Sequence, residues 1–109
     1  MSSQDSAPDA QHSALYLQLL KETAKIDWKE LERFFAQGKL LAVAHGLDLI
    51  AVAEAIAGDD QARVDAWLKS GQLERMQVTT ASDYAARSPE LWAVVVSPWV
   101  CVQERAAAH

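Results

Sequence analysis

A chain of 109 residues, half of them apolar, has the length of one domain and can bury one core without metal or disulfide staples. Fifteen acidic side chains against ten scattered basic ones leave a net charge of −5, which argues against a nucleic-acid ligand, because phosphate backbones select clustered Lys and Arg. The single cysteine, Cys101, excludes an intramolecular disulfide, and the longest apolar run, Leu91 to Val96, is too short to span a bilayer.

Residues 1–12 are polar and acidic, with neither the basic start nor the apolar stretch of a signal peptide. They read as a disordered tail before a globular unit over 13–104, and cytoplasmic residence is the corresponding expectation. Ser13 is placed to cap a helix carrying Tyr16, Leu20 and Ala24 as a stripe, with Leu15 and Leu19 beside it. Asp27-Trp28-Lys29-Glu30 is a capping-box pattern, and Ile26 and Leu31 stand where a hydrophobic staple would sit. Leu31, Phe34 and Phe35 continue a helical apolar face, which Gly38 ends. Lys21, Lys25, Lys29 and Arg33 form a loose basic line here, interrupted by Glu22, Glu30 and Glu32.

Lys39 to Ala44 reads as a buried strand, with His45-Gly46 as the turn after it. Asp48 caps a third helix, apolar on nearly every side except Glu54, and Gly58 stops it. Asp59 or Asp60 caps a fourth, aligning Val64, Trp67 and Leu68, and Gly71 ends that one. Leu73 to Gln77 suits a short strand. Thr80 to Asp83 is a weaker capping pattern before a brief helix around Tyr84, and Ser88-Pro89 is a break. The run from Leu91 to Glu104 is the strongest strand signal, being rich in Val and Trp. A bend or bulge is expected at Ser97-Pro98, since a two-residue hairpin turn ordinarily wants positive φ. Residues 105–109 read as a frayed tail. The element count predicts an α+β fold: one domain of about five short helices on a sheet of three or four strands.

Both faces of Leu91–Val96 are apolar, so both need cover. The mostly apolar helix Leu49–Ala57 supplies it, or a second subunit does, in which case Trp99 is an interface anchor. In strand phase Trp99, Cys101 and Gln103 share one face while Val100 and Val102 share the other.

The chemistry is sparse. His12, His45 and His109 have no Cys or His partner at a zinc spacing, so no metal is expected. Asp59-Asp60 lacks the repeated acidic pattern of a calcium loop, and the four glycines form no phosphate-binding loop. Cys101, between two valines with nothing basic beside it, reads as a buried structural thiol. Catalytic and cofactor-binding residues are therefore not assigned.

Three stretches carry a family resemblance. Glu22 to Ile26, with Trp28, Glu30-Leu31, Phe34 to Ala36 and Gly38, resembles the opening of a family of short prokaryotic proteins, domain of unknown function 2288. Leu47-Asp48-Leu49, Val52-Ala53 and Trp67 resemble its middle, and Leu91 to Val100 with Val102-Gln103-Glu104 its closing signature. The resemblance spans Leu20 to Glu104 and implies one prokaryotic domain. Cys101 stands where the family pattern suggests an aliphatic residue, and Ala44-His45-Gly46 replaces a proline-containing turn. No activity is implied.

Two functional classes follow. The first is a non-catalytic protein-interaction module, binding another protein or a second copy of itself through a patch of Trp28, Asp48, Trp99 and Gln103. The second is a small-molecule-binding or enzymatic domain with a pocket around Asp48, Glu30 and Lys25. A deep pocket with converging charges favours the second, and a flat aromatic patch the first.

Overall fold

The computed structural model describes residues 13–105, so the expected tail over 1–12 lies outside the described residues. The hydroxyl of Ser13 accepts the Tyr16 N–H at 2.9 Å and starts helix α1, Ala14–Glu22. Leu19 is buried, with Leu15 and Tyr16 packed beside it, whereas Leu20 is 49% exposed. The expected Tyr16–Leu20–Ala24 stripe is thus corrected. The helix ends at Thr23, whose hydroxyl donates to the Leu19 carbonyl at 2.7 Å, and Ala24 begins strand β1, Ala24–Ile26. Three residues are too few to show a strand period in sequence.

Helix α2, Trp28–Ala36, begins where the capping pattern placed it, and Asp27 occupies the cap position in extended backbone. Its carboxylate accepts no cap hydrogen bond, so the capping box does not close. The other end is a Schellman motif: Gly38 at φ +72° donates to the Phe35 carbonyl and Lys39 to that of Phe34. Strand β2, Leu40–Val43, follows, then α3, Leu49–Ala57, capped by Asp48, and α4, Gln61–Ser70, capped by Asp60. After β3, Leu73–Arg75, helix α5 runs Val78–Arg87. The Thr80–Asp83 pattern therefore lies inside α5, and the residue at the cap is Gln77. The Gln77 side chain instead donates to the Arg75 carbonyl at 3.0 Å.

Strands β4, Leu91–Val96, and β5, Trp99–Glu104, form a hairpin that pairs Val96 with Trp99. The Ser97–Pro98 peptide is cis. A turn with cis-proline at its third position joins the strands in two residues without positive φ, correcting the expected bend. Arg105, placed by sequence in the tail, donates its N–H to the Glu90 carbonyl at 3.0 Å, and its guanidinium lies over the Trp92 ring.

The five strands make one sheet in the order β1-β4-β5-β2-β3. The pair β2–β5 is parallel and the others antiparallel, so the sheet is mixed. The sheet has one strand more than the expected maximum of four, and the strand not expected is the three-residue β1 at its margin.

Helices cover both faces. On the first, Leu41, Val43, Leu73, Val94, Val96 and Cys101 pack with Leu19 of α1 and Leu49, Ile50, Val52 and Ala53 of α3. On the second, Leu40, Leu91, Ala93, Val100 and Val102 pack with Leu31 of α2 and Ala81 and Tyr84 of α5. Helix Leu49–Ala57 thus covers one apolar face of β4, and the chain's own α2 and α5 cover the other. Val95, next to the hairpin turn, stays 58% exposed.

Candidate functional site

Helix α4 has no fully buried residue, although Val64 and Trp67 pack against the first core. Standing off the sheet in this way, it leaves a cleft of about 560 Å³ between itself, the end of α3 and strands β2, β3 and β5. Leu41, Leu73 and Trp99 contribute from the sheet, and Ile56, Val64 and Leu68 from the helices. Asp59, Asp60, Gln61, Asp65 and Arg75 add the polar groups. Leu68 is 45% exposed, so part of the apolar wall meets water.

Arg75 is held rather than loose. It donates to the Gly38 carbonyl at 2.9 Å, and its guanidinium carbon stands 5.6 Å from the centre of the Trp99 ring. A side chain at Gly38 would press against this guanidinium, since a Cβ there would lie 3.0 Å from Nη2. The Schellman end of α2 therefore also braces one wall of the cleft.

The acidic side is built by the junction of α3 and α4. Gly58 has an ordinary φ of −90°, and it is Asp59 that takes the left-handed conformation, φ +58°. Asp59 and Asp60 donate their N–H groups to the carbonyls of Ile56 and Ala55, a second Schellman closure. Asp60 accepts the Arg63 N–H at 3.3 Å and caps α4, with the Arg63 guanidinium 3.9 Å away and stacked on Trp67. Among the described residues no ion pair joins Arg75 to any of the three aspartates. With Asp60 paired to Arg63, Asp59 and Asp65 line the cleft against the one guanidinium of Arg75, so its mouth is mildly acidic.

The residues singled out from sequence do not form one patch. Trp28 packs on the second face, 6.0 Å from Phe35 and 6.1 Å from Tyr84 between ring centres. Trp99 belongs to the first face and lines the cleft. Gln103 shares the Trp99 face, as strand phase required, but is buried and donates to the Ala44 and Leu47 carbonyls at 2.8 and 2.6 Å. Asp48 caps α3, accepting the N–H groups of Ile50 and Ala51, and also accepts the Tyr16 hydroxyl at 2.9 Å. Burial, with that hydrogen bond, raises the Tyr16 hydroxyl above its usual range. Lys25 lies opposite Trp92 on β1 and Glu30 on the first turn of α2; neither they nor Asp48 line the cleft. Sequence reading missed Asp59, Asp65, Leu68 and Arg75. Their one signal was the order Gly58-Asp59, which puts the glycine a residue before the left-handed position.

A second, smaller depression of about 200 Å³ is bordered by His45, Glu74, Thr80, Tyr84 and Glu104. Beside it Arg87 grips Glu104 with two hydrogen bonds of 2.9 Å and Asp83 with two, of 2.7 and 2.5 Å. These bonds hold both carboxyls below their ordinary range. Burial pushes the Cys101 thiol up to about 12, so it has no thiolate character at neutral pH. Among the described residues no three His, Cys, Asp or Glu side chains are grouped to hold a metal ion, and no helix is long and apolar enough to cross a membrane.

The chain matches the model of the family described as protein of unknown function (DUF2288) over residues 14–104. It is similar to the solution structure of PA1075 from Pseudomonas aeruginosa, with 52% identity and a TM-score of 0.76. That likeness covers 94% of this chain and 98% of the other. No curated protein matches it.

Proposed function

The chain belongs to the DUF2288 family, and from that premise we propose that it is a non-catalytic interaction module whose binding surface is the cleft between α4 and the sheet. One observation carries the reading: Trp99, stacked under a braced Arg75, ends an apolar cleft that a half-exposed leucine keeps in contact with water. An aromatic side chain with a neighbouring guanidinium on a rigid strand is the composition of an interface anchor. The Asp-rich mouth disfavours a phosphate backbone. The patch first expected from sequence contracts to Trp99, with Trp28 and Gln103 as packing and bracing residues.

The test is a photo-crosslinking amino acid placed at Leu68, with a control at Val95, in cells that express the protein naturally. A discrete adduct from position 68, absent from position 95 and lost when Trp99→Ala is added, supports the module. Equal labelling from both positions, or none from position 68, rejects it. The volume also suits a small ligand. On that second reading the position-68 adduct would be a metabolite rather than a protein.

A further inference from the structure

We propose that the occupant of the cleft is an extended protein segment in which a bulky apolar side chain stands beside Lys or Arg. This rests on reading the cleft as the binding surface. The apolar side chain follows from the accessible apolar lining, where Trp99, Val64 and Leu68 offer contact without a hydrogen-bonding demand. The positive charge follows from the mouth. Asp60 is paired with Arg63, which leaves Asp59 and Asp65 there against the guanidinium of Arg75, and that guanidinium already spends one donor on Gly38 and one face on Trp99. The remaining field is negative, and complementary charge steers and orients a partner. A continuous segment suits the cleft because one wall is the exposed side of Leu68, along which a chain can pass.

The position of Asp59 gives the proposal its sharpest test. A Schellman end favours glycine in the left-handed position, and here the glycine precedes it. Asp59 thus sits where a side chain is disfavoured; among the described residues its carboxylate accepts one hydrogen bond, a long one of 3.5 Å from Gln61. If Asp59 were there only to end the helix, Asp59→Gly would improve the protein outright. On the proposal, Asp59→Gly strengthens the fold and weakens binding.

The experiment titrates the full chain, 15N-labelled, with three blocked peptides: Lys-Leu-Leu-Lys, Glu-Leu-Leu-Glu and Lys-Gly-Gly-Lys. The Trp99 indole and the α4 amides report the cleft. Lys-Leu-Leu-Lys should shift these signals with an affinity that falls as salt rises, and the other two should bind about tenfold more weakly or worse. Asp59→Gly should raise the urea midpoint while weakening Lys-Leu-Leu-Lys about two- to fivefold, the range of an exposed charge pair, and Asp65→Asn should weaken it similarly. Equal affinity for the glutamate peptide, or unchanged affinity in both aspartate variants, overturns the cationic occupant and leaves the binding surface standing. Silence of the Trp99 indole toward all three peptides overturns both.

Discussion

The side-chain amide of Gln103, in the last strand, is hydrogen-bonded to the carbonyl of Ala44, 59 residues earlier. The same nitrogen also reaches the Leu47 carbonyl, so one buried amide ties the last strand to the turn that launches α3. Gln103→Leu keeps the volume and removes both bonds. It should cost about 1–3 kcal/mol, because the Leu47 carbonyl loses this donor and the Ala44 carbonyl keeps only the Leu47 N–H. Urea denaturation measures this; an unchanged midpoint would show that the loop finds water instead.

Asp27 and Asp48 occupy equivalent cap positions and differ in what their carboxylates accept. Asp48 takes two backbone N–H groups and the Tyr16 hydroxyl, and Asp27 takes no cap bond. Asp48→Ala should therefore cost about 1–2 kcal/mol and Asp27→Ala under about 0.5 kcal/mol. Paired melts settle the order; the capping-box reading assigned Asp27 a full cap bond, worth about 1 kcal/mol.

Arg87 lowers the pKa of both Asp83 and Glu104. Groups whose folded pKa is depressed stabilise the fold above the ordinary carboxylate range, about pH 4, and lose that effect as pH falls through their lowered values. Arg87→Gln should thus lie below the wild type in stability at neutral pH, with the difference closing in acid. Molar salt should shrink the neutral-pH difference as well, since the pairs are exposed. A difference that is constant from neutral pH into acid would contradict the assignment.

Cys101 is buried in the first core with its thiol pushed up to about 12. A thiol reagent at neutral pH should label the native chain only through opening of the sheet, so the labelling rate should track denaturant. Rapid labelling of the native protein would show a path to Cys101 that bypasses unfolding.

Much of this architecture was legible beforehand, for local reasons. Ser13, Asp48 and Asp60 cap the helices they precede, and the alternation from Trp99 to Gln103 gave the two faces of β5. What stayed hidden depends on distant partners. Ala24–Ile26 becomes a strand because Leu91–Ala93 lies alongside it, and its own three residues carry no signal. The cleft was hidden for the same reason. Trp99 stood out by its type, but Arg75, Leu68 and Asp59 meet it only through the return of α4 and β3, which no spacing in the chain records.

The margins of the sheet bear on how this protein behaves when crowded. Its Val- and Trp-rich strands, β4 and β5, lie inside, and the outermost strands are three residues long. One carries Lys25 at its centre, and the other has its Arg75 carbonyl already occupied by Gln77. A foreign strand approaching either margin finds a short template with a charge on one side and a filled acceptor on the other. Natural sheets discourage fibril growth by such means. The chain can therefore keep an aggregation-prone hairpin and remain dispersed for as long as the sheet stays closed.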